Sequence, residues 1–287
     1  MPAPHTAVLQ IHCPDQSGIV ALITQILFEK GANILDAQQH REELDNQFFM
    51  YVQFEQQNLN CSHDQLRETL KEKALEYDMK WSLSFSDEPK NMAIMVSKYD
   101  HCLYDLLLRH KYGEFPSTNI ALIVSNHPDL GKVAEHFDIP FQVIPKNKDI
   151  RIEADQKALE TFKEYDIDLI VMARYMQIVT PVLLDAYPNH IINVHHGFLP
   201  AFKGAKPYHQ AYEKGVKLIG ATSHYATVDL DMGPMIEQET ERINHGYSVD
   251  DMIRLGRSIE NKVLANAVKA HCEDRIIVYK NRTIIFN

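Results

Sequence analysis

Cysteine pairs, glycine-rich phosphate loops, long apolar runs and a positive charge excess are all missing from this chain of 287 residues. Its four cysteines, Cys13, Cys61, Cys102 and Cys272, stand far apart with no Cys-x-x-Cys pair. That excludes a disulfide framework or a cysteine zinc site and fits a reducing compartment. No strand is followed by Gly-x-Gly-x-x-Gly, and Gly-x-x-x-x-Gly-Lys-Ser/Thr does not occur, so the common nucleotide cradles are absent. No run approaches the roughly 18 apolar residues of a membrane span. Met1-Pro-Ala-Pro-His5 has neither the basic nor the apolar region of a secretory signal. The expected setting is the cytoplasm, with no membrane partner. The formal charge of −10 excludes a non-specific grip on nucleic acid.

What the chain has in surplus is histidine. There are 15, and five of them, His190, His195, His196, His209 and His224, crowd into one short stretch. Such a cluster in an acidic chain points to small-molecule chemistry.

The length suits two domains of roughly 100–200 residues each. Ala7–Ile11 alternates as a strand, and Asp15-Gln16-Ser17-Gly18 makes a turn in which Asp15 is expected to cap the helix Ile19–Lys30. Strands follow at Asn33–Gln39 and Gln47–Phe54, then a helix at Leu66–Tyr77 and a strand at Lys80–Phe85. The order βαββαβ is the ferredoxin-like pattern. Residues 1–86 form this first domain and carry six basic against twelve acidic side chains; 87–91 is a polar linker, and 92–287 a second domain.

In that second domain, short apolar runs at Met92–Val96, Asn119–Val124, Phe141–Ile144, Leu169–Met172 and Ile191–Val194 read as strands buried on both faces. Helices are expected between them at Cys102–Arg109, Gly131–His136, Ile152–Tyr165 and Tyr175–Ala186. This predicts an open, mostly parallel, Rossmann-like sheet, with ligands beyond the carboxyl ends of its strands. The tail adds Val216–Tyr225, Pro234–Glu241, a long helix Val249–His271 and a hairpin-like pair, Ile276–Tyr279 and Thr283–Phe286.

Asn193 and His195 stand two apart at a strand end, so both side chains point to one side. An amide donor beside an imidazole suits a developing oxyanion and a mobile proton. His196 is expected to face the other way. Asp231, before Gly233-Pro234, reads on its own as a turn aspartate. With no His-Glu-x-x-His and no short His-x-His, no metal is expected. After the first strand of the second domain stands Ser97-Lys98-Tyr99-Asp100-His101, without a glycine that would let the backbone approach a phosphate.

Asn193-Val-His195 leading into Phe198-Leu-Pro-Ala-Phe-Lys-Gly204 resembles the catalytic loop of the folate-dependent formyltransferases. So does Gly220-Ala-Thr-Ser-His-Tyr225 running on to Leu230-Asp-Met-Gly-Pro-Met-Ile236. The first domain, with its Asp15-x-x-Gly18 turn, resembles an ACT domain. That fusion, together with the stretch His195–Tyr212, is similar to the formyltetrahydrofolate deformylase family.

The resemblance implies a catalytic set of Asn193, His195 and Asp231. It implies that water attacks the formyl carbon of 10-formyltetrahydrofolate, giving formate and tetrahydrofolate, balancing one-carbon pools and supplying formate for purine biosynthesis without a cofactor. It implies pterin binding largely through the main chain of Ala173–Val179, that is Arg174, Tyr175, Met176, Gln177, Ile178 and Val179, and of the loop with Tyr225, Val228, Leu230 and Gly233. Roles for His196 and Lys206 stay open. The alternatives are formyl transfer to an amine, as in glycinamide ribonucleotide formyltransferase, and a non-catalytic folate or amino-acid sensor. The glycine-free Ser97–His101 speaks for water over a phosphorylated acceptor, and the intact triad against a dead site. Asp15, Gln16, Ser17 and Gly18 form a candidate effector site for an amino acid such as methionine or glycine, or the domain only pairs subunits; either reading implies a homo-oligomer, dimer or tetramer.

Overall fold

The computed structural model describes residues 5–202, 204 and 206–287. Met1–Pro4 of the leader reading, and Lys203 and Ala205 of the loop motif, lie outside the described residues. The chain divides into two units: residues 1–89 with 274–277 and 284–287, and residues 90–273 with 278–283.

The first unit runs β1 (Thr6–Pro14), α1 (Ile19–Glu29), β2 (Asn33–Glu42), β3 (Gln47–Glu55), α2 (His63–Glu76) and β4 (Lys80–Phe85). Its four strands form an antiparallel sheet in the order β2-β3-β1-β4. Ala7, Leu9, Ile11 and Cys13 alternate inward from β1 and meet Ile19, Ile23, Ile26 and Leu27 of α1 in one core with Phe48, Met50, Val52 and Phe54 of β3. Each large side chain buried there contributes about 1.5–3 kcal/mol.

Asp15 does not cap α1. Gly18 occupies the cap position with φ 95° and without a side-chain bond, while Asp15, three residues too early, pairs with Arg41 at 2.6 Å. Ser62 does cap α2, in a reciprocal box with Gln65.

The second unit starts with β5 (Lys90–Val96), then α3 (His101–Lys111), β6 (Thr118–Ser125), α4 (Gly131–His136), β7 (Phe141–Val143), α5 (Arg151–Glu164) and β8 (Leu169–Met172). It continues with α6 (Pro181–Leu184), β9 (Ile191–His195), α7 (Pro207–Glu213), β10 (Leu218–Tyr225), β11 (Met235–Arg242) and α8 (Val249–Cys272). A hairpin of β12 (Ile276–Tyr279) and β13 (Arg282–Ile285) ends the chain.

β5 takes in Lys90 and Asn91 of the expected linker. Lys90 N–H donates to the Ser117 carbonyl and Asn91 N–H to Asp168, both at 2.8 Å. The seven strands lie in the order β11-β10-β9-β8-β5-β6-β7. β9 through β7 are parallel, and β10 runs antiparallel to both neighbours. From β5 the chain steps outward through β6 and β7, then returns to β5's other side with β8 and β9. The crevice between the ends of β5 and β8 is therefore the switch point, where open sheets bind ligands.

The helix expected at 175–186 shortens to α6. Met176 N–H is taken by Ser97 Oγ at 3.0 Å and Thr180 N–H by Asp155 at 2.7 Å. Pro181, which needs no N–H partner, sits at the helix start. α7, unforeseen from the sequence, begins the same way: Lys206 turns left-handed at φ 54° ahead of Pro207.

Candidate active site

β9 lies between β8 and β10, and its register sets Asn193 opposite His224, and His195 opposite Thr222. Asn193 Nδ2 lies 3.2 Å from His224 Nε2, and His224 Nδ1 lies 2.9 Å from the Tyr225 carbonyl. A carbonyl only accepts, so His224 Nδ1 carries the proton and Nε2 accepts from the amide. His195 is buried, with Nε2 at 2.8 Å from the Phe202 carbonyl and Nδ1 at 3.3 Å from Asp231 Oδ2. Both of its ring nitrogens therefore face acceptors and are placed as donors. The other Asp231 oxygen lies 3.7 Å from His224 Nε2. Burial by itself raises the Asp231 carboxyl, but the hydrogen bond from His195 outweighs it and holds the group well below the usual carboxylate range.

Glycines make room for this constellation. Asp231 sits on a left-handed turn at φ 56°, and a Cβ on Gly233 would stand 1.8 Å from the Tyr225 carbonyl oxygen. A Cβ on Gly197 would come within 3.0 Å of both the Phe202 carbonyl and His195 Nε2. Thr222 Oγ1 donates to the Gly197 carbonyl and accepts from Leu199 N–H, each at 3.1 Å. Gln238 Nε2 reaches the Leu199 carbonyl at 2.9 Å. These bonds hold the 197–202 loop whose Phe202 carbonyl orients His195.

The segment after β8 has its main chain pinned at both ends, through Met176 N–H on Ser97 and Thr180 N–H on Asp155. Asp155 is itself paired with Lys146 inside the protein. Arg174 is left-handed at φ 59° and, like Tyr175 and Val179, buried; Gln177 is half-buried, and Met176 and Ile178 point outward. At the end of β10 Tyr225 is buried, and in the loop that follows Gly233 is buried and Val228 and Leu230 exposed. The half-buried Ala226 packs on the core containing Met172, Tyr175 and Val179, so the two segments adjoin.

His196 lies just beyond β9, where the strand alternation ends. Its ring is therefore only 5.5 Å from that of His195 rather than on the opposite side. Burial and the Arg174 charge push its pKa down to about 4. Lys206 is exposed. Asp15, Gln16, Ser17 and Gly18 belong to the first unit, between β1 and α1, with Gln16, Ser17 and Gly18 exposed. His224, given no role of its own from the sequence, lies between Asn193 and Asp231; the β9–β10 register makes it visible. Among the described residues, His101, Cys102 and Glu260 have ligating atoms within 4.8 Å of one another. Glu260 there already accepts from His101 and Tyr208.

Residues 90–268 match the formyl transferase family model, and residues 7–59 the ACT domain model. A formyltetrahydrofolate deformylase of Bacillus subtilis is 48% identical over 97% of this chain and 93% of its own length. One from Synechocystis is 46% identical over 98% of each chain. A crystal structure of a Pseudomonas syringae formyltetrahydrofolate deformylase, 40% identical, superposes with a TM-score of 0.97 over 100% of this chain and 96% of that one. A glycinamide ribonucleotide transformylase from Symbiobacterium toebii, 27% identical, matches 72% of this chain and 98% of its own with a TM-score of 0.67. With the ACT fold ahead of the formyl transferase fold, and this identity along nearly its whole length, the chain belongs to the formyltetrahydrofolate deformylase family.

Proposed function

We propose that this chain hydrolyses 10-formyltetrahydrofolate to formate and tetrahydrofolate, and that Asn193, His195 and Asp231 carry the reaction. The observation that supports the reading best is the Asp231 carboxylate, kept ionised between His195 and His224 one strand away from an amide donor. Water between Asp231 and the formyl carbon is oriented by the carboxylate and loses a proton toward it as the C–O bond forms. The carbonyl oxygen becomes an oxyanion, which Asn193 Nδ2 stabilises together with the His195 Nδ1–H, freed from Asp231 as that carboxylate takes the proton. The C–N10 bond then breaks as N10 takes the proton held by Asp231, and formic acid leaves, losing its own proton to become formate. No step needs a metal or redox cofactor.

The pterin takes its hydrogen bonds from the main chain of 173–179 and 225–230. A pinned backbone suits this role, since it presents donors and acceptors without reorganising on binding. The ACT-like unit is an effector domain, with a small amino acid such as methionine or glycine at Asp15–Gly18, and the enzyme works as a cytoplasmic homo-oligomer.

Removing one oxyanion donor raises a barrier by about 3–4 kcal/mol. Asn193→Ala and Asp231→Ala should therefore each lose roughly 100-fold or more in kcat, while tetrahydrofolate binding, followed by fluorescence titration, stays close to wild type. Turnover near the wild-type rate in both variants contradicts the assignment.

A further inference from the structure

The steps above leave one set of buried polar groups without a task. Arg174 is 9% exposed, and its Nε and Nη1 are buried without a hydrogen-bond partner. Its backbone is left-handed, a conformation in which glycine is at ease and arginine strained. Glu260, 2% exposed, accepts from His101 Nε2 at 2.8 Å and Tyr208 Oη at 2.9 Å, with Arg174 Nε at 3.5 Å. The Tyr99 ring covers the guanidinium at 4.7 Å. Backbone strain, under-bonded donors and a buried carboxylate all disfavour this arrangement, so packing alone does not account for it.

Its position does. Tyr99 and His101 follow β5, and Arg174 follows β8, so these residues meet in the switch-point crevice that an open sheet offers to ligands. Tyr208 from α7 and Glu260 from α8 complete the filling. The cluster reaches to within one ring of the reacting centre, for His196 lies 6.2 Å from Tyr208 and 5.5 Å from His195.

We infer that Tyr99, Arg174 and Glu260 form an acceptor-excluding plug, which admits water to the formyl carbon and refuses an amine. They are specificity-determining residues for the hydrolysis proposed above, and the inference rests on that reading. When an amine does enter, its nitrogen attacks the formyl carbon, the C–N10 bond breaks, and N10 gains the proton that the amine loses. The products are then a formamide and tetrahydrofolate.

The test gives the enzyme 10-formyltetrahydrofolate with glycinamide, a primary amine bulkier than water, and reads the ratio of N-formylglycinamide to formate. A ratio does not depend on how fast each variant turns over. Wild type should give formate almost alone. Arg174→Gly, which also relieves the backbone, and the charge-matched Arg174→Gly/Glu260→Ala should raise the amide fraction about tenfold or more. Tyr99→Ala, at a half-exposed ring, should shift it in the same direction and decides the question if the core variants fail to fold. An unchanged ratio in the folded variants, or amide formation by wild type equal to theirs, overturns the plug. Wild type releasing no formate at all would instead overturn the hydrolysis reading.

Discussion

Asp231 illustrates how one residue serves two demands. Its left-handed turn is the turn the sequence predicts, and the same turn aims the carboxylate at two histidines. Asn193 and His195 are legible from a two-residue spacing, because a strand has period two. His224 is not, because nothing in the sequence fixes the register between β9 and β10. Gly233→Ala should destabilise by about 1–3 kcal/mol through overpacking against Tyr225 and displace Asp231. Urea unfolding and kcat should both fall; a variant with wild-type stability and rate contradicts this account of the turn. Acid should weaken the fold through His196, whose pKa drops from 6.5 to about 4. Between those values the unfolded chain binds the proton and the folded one does not, so stability declines as pH falls through that window. The loss is at most about 3 kcal/mol. Asp231, depressed in the fold, adds stability above the ordinary carboxyl value and loses it as pH falls below about 4. Unfolding midpoints between pH 7 and 4 check the first effect, and His196→Asn should flatten that slope.

At the level of elements, most strands and long helices follow from apolar period, and the structure moves their ends by a few residues. The segment 175–180 escapes that reading because its backbone N–H groups are claimed by Ser97 and Asp155, side chains distant in sequence. α7 escapes it because seven residues carry too little periodicity. The packing of α7 on α8 turns on Gly256, where a Cβ would stand 2.1 Å from Tyr208 Oη. Alanine at that position gains up to about 1 kcal/mol in helix propensity, but the steric conflict should outweigh it. Gly256→Ala should therefore lower the thermal midpoint, and a raised midpoint would contradict the packing described.

The whole molecule joins an ACT domain to a formyl transferase domain. If Asp15–Gly18 binds an amino acid, a panel including methionine and glycine should raise the thermal midpoint or alter the rate for at least one member, and Gly18→Val should abolish that response. A panel that changes neither observable removes the effector role while leaving the catalytic one standing. That water is the acceptor is checked by incubating the protein with 10-formyltetrahydrofolate alone and measuring formate. Formate and tetrahydrofolate should accumulate in equal amounts over many turnovers with no added amine; formyl transfer only when an amine is supplied would show that water is not the acceptor.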